Sequence, residues 1–256
     1  FNAGNWFDYP HYFDCVGKQQ GSNPIFDSDE AFFTQGSAHF PLQIALNRMM
    51  KEIPKAKVLL VLREQRSFLE SRYKHSIIHG QDGKFRSWSF EQWLKGKKGK
   101  EFISILNYEY LLKQVLSYLP ADQLKVLLYE DLKNDPYGFL NEVYDFIGLP
   151  LSQDQTEIPY NNKGESLDFY EKMKKINKFR IGKQGSDLAR IEKKFYKKVA
   201  GALTKKNRKI ANNKFDFWEN VNFKSKLFYE FVHNNKYLHE QGFVQKSRLR
   251  YSNYLL

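Results

Sequence analysis

Two short apolar runs constrain the fold of this chain more than any other feature of its sequence. The first, "KVLLVL" (57–62), is continuous from Val58 to Leu62, and the second, "LKVLLY", spans residues 124–129. Apolar runs of this length predict strands that are buried on both faces, as in a parallel sheet. Because helical patterns separate the two runs, we expect crossover connections and an α/β fold, with a central parallel sheet between two layers of helices.

Helical patterns occupy most of the remaining chain. They cover residues 40–52, 64–78, 104–119, 137–147, 167–178, 187–204 and 225–241. Ser89 and Gln92 have the spacing of a capping box, which predicts a short helix after Ser89. "KGKKGK" (95–100) is predicted to be a basic loop, and no strand is expected after Pro150, so the C-terminal part should be mainly helical.

The net charge indicates possible partners, and the cysteine content limits disulfides and zinc sites. The formal net charge of +12 favours nucleic acid, an anionic membrane surface, a phosphorylated cofactor or an acidic polysaccharide, although a lysine-rich solvated surface explains it equally well. The single cysteine, Cys15, excludes an internal disulfide and the usual zinc sites, and it fits a reducing, cytoplasmic location. The sequence has no apolar run long enough for a membrane span, and its start at Phe1 predicts an N-terminus trimmed from a longer chain.

Arg63 follows the first predicted strand directly, and Ser71 follows it by eight positions. Ligands of open α/β sheets bind at the carboxyl ends of strands. Residues 63, 67 and 71 have helical spacing along one side, so a guanidinium and a hydroxyl could grip one phosphate. The alternative is that Arg63 pairs with Glu64 or Glu130 and that Ser71 only faces a neighbouring helix.

Two segments resemble the PAPS-dependent sulfotransferases of the bacterial and polysaccharide type, where PAPS is 3′-phosphoadenosine-5′-phosphosulfate. They are "KAKVLLVLREQRSFLESRYKH" (55–75) and "ADQLKVLLYEDLKNDPYGFLNEVYDFIGLP" (121–150). The resemblance implies a P-loop NTPase-like fold in one domain over residues 1–256. It also implies sulfuryl transfer from PAPS by in-line displacement, without a metal.

The same resemblance assigns site residues. Arg63 and Ser71 would hold the 3′-phosphate of the donor, and Tyr129 would lie near the nucleotide. Glu130 and Asp131 would orient backbone groups and arginines rather than catalyse. Arg180 and Gly182, in "NKFRIGKQG", resemble a late loop that closes over the 3′-phosphate, although Ile181 replaces the lysine of that pattern; Lys163 and Gly164 are the rival loop.

The sequence departs from this family in one important respect. A phosphate-binding loop like PKSGTT is not found, and "VGKQQGSNP" (16–24) is a weak substitute because no strand precedes it. We expect the loop, and a glutamate acting as general base, to lie upstream of Phe1. His11 is the first candidate base within the chain, before His39, His75 and His79.

A glycan, a lipid or a small molecule would fit as the acceptor, whereas nucleic acid is not expected. The alternative function is a nucleotide-binding or polyanion-binding module of the same fold without catalytic activity.

Overall fold

The computed structural model describes residues 42–79, 87–151, 167–178, 195, 198–199, 201–202, 216–245 and 248–249. In chain order its elements are α1 (Leu42–Glu52), β1 (Val58–Leu62), α2 (Gln65–His79), α3 (Phe90–Lys95), α4 (Lys97–Ile105), α5 (Tyr108–Leu116), a 3₁₀ turn (Ala121–Gln123), β2 (Leu124–Leu128), α6 (Tyr129–Asn134), α7 (Pro136–Ile147), α8 (Leu167–Asn177) and α9 (Lys224–Glu240). Within these ranges no helix is long and apolar enough to cross a membrane.

The two apolar runs form a parallel pair of strands. The register aligns Val58 with Leu124 and Leu62 with Leu128, so both strands end at the same edge. The α/β prediction is therefore confirmed, while the three-layer arrangement stays a prediction because the described sheet contains these two strands. Burial on both faces was only partly right for β1: Val58, Leu60 and Leu62 are buried, whereas on the opposite face Leu59 is half-buried and Val61 is 43% exposed.

The described chain divides into two compact units, each built from separate stretches of sequence. The first contains residues 42–64, 104–151, 229–245 and 248–249. Its sheet packs on α7 through Leu127, Phe139 and Val143, with Leu59 and Leu132 at the margin. The prediction of a single domain over the whole chain stays a prediction.

Helix α7 begins and ends as its sequence directs. Asp135 caps its N-terminus by accepting a hydrogen bond from the Gly138 N–H at 2.9 Å, and Pro136 occupies the first turn. Gly148 ends the helix with a φ of 81°, in the left-handed region that glycine tolerates. The predicted stop at Gly148 is confirmed.

The second unit contains residues 65–79, 87–103, 167–178, 195, 198–199, 201–202 and 216–228. An aromatic cluster fills it, in which Phe90 contacts Tyr73, Trp93 and Trp218 with ring centroids 4.9–6.2 Å apart. Helix α8 is tied to α2 because the Asn177 side chain donates to the Ile77 carbonyl at 2.9 Å. The capping box at Ser89 and Gln92 is confirmed.

Two sequence predictions about helices were wrong. Residues 95–100 are not a loop, because α3 runs to Lys95, Gly96 separates the helices and α4 starts at Lys97. The helix predicted over 104–119 is divided, because Asn107 caps a new helix by accepting from the Tyr110 N–H at 2.9 Å. The helices predicted over 40–52, 167–178 and 225–241 are confirmed within one or two residues.

Candidate functional site

Arg63 and Tyr129 meet at the carboxyl edge of the sheet. Each is the residue directly after its strand, and the register that pairs Leu62 with Leu128 brings them side by side. The guanidinium carbon of Arg63 lies 4.9 Å from the centroid of the Tyr129 ring. The Lys133 ammonium lies 5.2 Å from the same centroid, so the half-buried ring faces two cations.

The backbone around Arg63 is held from two sides. The Tyr108 hydroxyl, at the start of α5, donates a hydrogen bond to the Arg63 carbonyl. On the other side, the Glu64 N–H donates to the Glu130 carboxylate at 3.1 Å. Burial raises the pKa of the Tyr108 phenol above its ordinary value, and the negative charges of Glu130 and Glu64 raise it further. The phenol therefore stays protonated and can donate.

The carboxylate of Asp131 is occupied by an arginine from the far end of the chain. Arg248 binds Asp131 with one guanidinium nitrogen and contacts Glu142 on α7 at 3.0 Å with another. Lys125 on β2 also pairs with Glu142, at 2.8 Å. Glu130 and Asp131 thus hold a backbone N–H and an arginine, which is the positioning role predicted for them.

Arg63 lies outside the helix that follows it. Since α2 starts at Gln65, the helical spacing assigned to residues 63, 67 and 71 was wrong for Arg63 and holds for Ser67 and Ser71 alone. Ser71 is half-buried on α2 and belongs to the second unit, so its pairing with Arg63 stays a prediction.

Tyr73, two positions further along α2, is a core residue. It is 1% exposed, and its hydroxyl donates to the Trp88 carbonyl at 2.7 Å. Burial raises the pKa of this phenol as well, and the charge of Glu171 adds to the effect. His75, a weaker candidate base, is half-buried on the same helix.

Several predicted site residues lie outside the described residues. They are His11, His39, Arg180, Gly182, the rival pair Lys163 and Gly164, and the segment at 16–24. In the part of the chain that the structure describes, no group of three or more His, Cys, Asp or Glu side chains is placed to hold a metal ion.

Three residues of this region were not singled out from the sequence: Tyr108, Lys133 and Arg248. Lys133 could have been found, because it lies one helical turn after Tyr129 and so on the same side of α6. Tyr108 and Arg248 carry no local signal, since their partners lie 45 and 117 positions away.

This edge of the sheet combines a guanidinium, an ammonium and an aromatic face. Guanidinium N–H groups lie in the plane of the group and match two oxygens of a phosphate, while its face can rest on a ring. The arrangement is therefore suited to an anionic ligand that also carries a flat, stackable group.

Comparison with protein families identifies the class. A model of the sulfotransferase domain family matches residues 18–216, which is more than half of the chain, so this chain belongs to the sulfotransferase family. A comparison with curated proteins gave no significant match. Members of this family transfer sulfuryl groups, which places the chain among the transferases.

Proposed function

We propose that the chain transfers a sulfuryl group from PAPS to a hydroxyl or amine of an acceptor, and that Arg63 binds the 3′-phosphate of the donor. One observation carries the proposal. In a chain of the sulfotransferase family, the guanidinium that follows β1 and the tyrosine that follows β2 lie together, 4.9 Å apart, at one edge of a parallel sheet. This is the edge at which α/β sheets bind nucleotides.

The role of Arg63 and Tyr129 in this proposal is to bind and position the donor. Arg63 would neutralise the ribose phosphate, and the Tyr129 ring would support the guanidinium from below. Ser71, Arg180 and Gly182 keep their roles as further contacts to that phosphate in this proposal. A donor fixed at its ribose phosphate presents its sulfur to an acceptor in a defined direction, which lowers the entropic part of the barrier.

The reaction is a displacement at sulfur. The acceptor oxygen or nitrogen forms a bond to sulfur, the bond from sulfur to the 5′-phosphate oxygen breaks, and adenosine 3′,5′-bisphosphate leaves with the electron pair. The acceptor proton passes to a base. Within the chain, His11 is proposed for that role.

Calorimetry with adenosine 3′,5′-bisphosphate and adenosine 5′-monophosphate tests the proposal. Since charged hydrogen bonds contribute about 1.5–3 kcal/mol, Arg63→Ala should weaken binding of the bisphosphate by about ten- to a hundredfold. Binding of the monophosphate, which lacks the 3′-phosphate, should change little.

Lys113→Ala is the matched control. Its ammonium lies 5.2 Å from the Tyr237 ring in the same unit, so the variant also removes one cation above a tyrosine. It should leave both affinities unchanged. Equal affinity of the wild-type protein for the two nucleotides would contradict the proposal.

Catalysis is tested separately from binding. PAPS is incubated with pools of glycans, lipids and phenols, and the release of adenosine 3′,5′-bisphosphate is followed. Release that depends on an acceptor supports the enzyme. Tight nucleotide binding without any acceptor-dependent release would instead support the non-catalytic binding module.

A further inference from the structure

The C-terminal segment of the first unit contains an arginine, Arg248, whose sequence neighbours are buried. Leu249 is completely buried, and Val244, which precedes it, is 3% exposed. The Leu249 N–H donates to the Gln245 carbonyl at 3.2 Å. With its neighbours held in this way, Arg248 contacts two carboxylates, Asp131 on α6 and Glu142 on α7.

Helix α6 needs such an anchor. It has six residues, and its N-terminus at Leu128 has no side-chain cap. Short helices are unstable by themselves, because the hydrogen bond gained in the first turn does not offset the conformational entropy lost in forming it. Contacts from outside must therefore hold α6 in place, and Arg248 supplies one to Asp131, its third residue.

Helix α6 also carries two residues of the proposed donor site, Tyr129 and Glu130. Tyr129 is its first residue and lies under Arg63. Glu130 is its second residue and accepts from the N–H directly after Arg63. A shift of α6 would thus move the ring and release the backbone on which Arg63 is mounted.

We infer that Arg248 is a positioning residue for the donor site, which keeps the Tyr129 ring beneath Arg63 by joining α6 to α7 through Asp131 and Glu142. The inference rests on the proposed function of Arg63. It assigns a part in donor binding to a residue beyond the range, 18–216, that matches the family.

A double-mutant cycle on the full chain tests this role. The affinity for adenosine 3′,5′-bisphosphate is measured by calorimetry for the wild type, Arg248→Ala, Arg63→Ala and the double variant. Residues coupled through one polar network give non-additive effects. Arg248→Ala alone should therefore weaken binding by about tenfold, yet change it by less than about twofold when Arg63 is already alanine.

Two further variants complete the design. Arg248→Lys keeps the charge but cannot span both carboxylates, so its loss should be smaller; it replaces Arg248→Ala in the cycle if the alanine variant does not fold. Lys174→Ala removes another ion pair, with Glu171 at 2.7 Å in the second unit, and should not change the affinity.

The outcomes separate the inference from the proposed function. If Arg248 had a purely structural role, Arg248→Ala would lower the melting temperature, while the nucleotide affinity would be unchanged or would fall equally in the wild-type and Arg63→Ala backgrounds. Either of these two affinity results overturns the inference, while Arg63 keeps its role. If Arg63→Ala itself leaves the bisphosphate affinity unchanged, the proposed function fails and the inference fails with it.

Discussion

At the scale of single residues, the Tyr108 hydroxyl decides how firmly the backbone at Arg63 is held. This buried phenol donates to the Arg63 carbonyl, and burial raises its pKa. Leaving the acceptor of this part-buried hydrogen bond without its donor costs about 1–3 kcal/mol. Tyr108→Phe should therefore lower the free energy of unfolding by about that amount at neutral pH, measured by urea denaturation.

The same variant should change the dependence of stability on pH. A phenol whose pKa is raised by folding keeps its proton in the native state after the unfolded chain has lost it, so its contribution is complete below about pH 10 and is lost above it. The wild-type protein should lose up to about 1.4 kcal/mol more per pH unit above about pH 10 than Tyr108→Phe does.

Tyr110→Phe is the control for this prediction. Tyr110 lies on the same helix, α5, and is 54% exposed. Its substitution should change the free energy of unfolding at neutral pH by less than about 0.5 kcal/mol. An alkaline slope that Tyr108→Phe leaves unaltered would show that the phenol is not buried as described.

The residue scale also shows what a sequence can reveal about such a site. Arg63 and Tyr129 could be found because each follows a short apolar run that predicts a strand. Parallel strands end at the same edge of a sheet, which brings the two residues close together. Tyr108 and Arg248 could not, because their contacts depend on how distant segments pack, which no local pattern encodes. Tyr73, in the segment that resembles the sulfotransferases, is a core residue.

At the scale of elements, Gly99 explains why a stretch resembling a basic loop is helical. A Cβ atom at Gly99 would lie 2.3 Å from the Trp93 carbonyl oxygen and 2.5 Å from the Leu94 Cα. The glycine thus lets α4 pass directly over the end of α3. Lys98 pairs with Glu101 at 3.1 Å on the outer side, so the lysines occupy an ordinary solvated helix surface.

Gly99→Ala should destabilise the protein, against the usual trend in helices. Alanine in place of glycine normally stabilises a helix by about 0.5–1 kcal/mol. Here the new methyl group meets backbone atoms that cannot turn aside, and overpacking of this kind costs about 1–3 kcal/mol.

Gly201→Ala provides the comparison for Gly99→Ala. Gly201 is also helical, but among the described residues a Cβ there meets nothing within 4 Å. Urea denaturation should show a gain of about 0.5–1 kcal/mol for Gly201→Ala and a loss for Gly99→Ala. A gain in both variants would mean that α3 and α4 do not approach as closely as described.

Sequence patterns predicted most elements but not all of their limits. Long amphipathic stretches such as α1 and α9 were recognised because their apolar spacing repeats over several turns. The break at Asn107 was missed because apolar residues continue through it and only the capping bond marks the new helix. The brief helix α6 was missed because six residues are too few for a helical period to stand out.

At the scale of the whole molecule, the matched family range and the folded structure do not coincide. The match ends at residue 216, yet seven apolar residues in the described part of the chain beyond it are at most 5% exposed. They are Trp218, Val221, Leu227, Phe231, Leu238, Val244 and Leu249. These residues contribute to both compact units, because the chain passes from one unit to the other within α9.

A chain that ends at Asp216 should therefore fail to fold cooperatively. Burying each of these side chains contributes about 1.5–3 kcal/mol, so their joint loss is comparable with the whole stability of an ordinary domain, about 5–15 kcal/mol. The truncated and full chains are compared by near-ultraviolet circular dichroism and calorimetric unfolding. The truncated chain should lose the sharp aromatic signal and the unfolding transition, because Trp218 leaves the cluster around Phe90. A truncated chain that unfolds at the same temperature as the full chain would contradict the packing described for α9 and the segment after it.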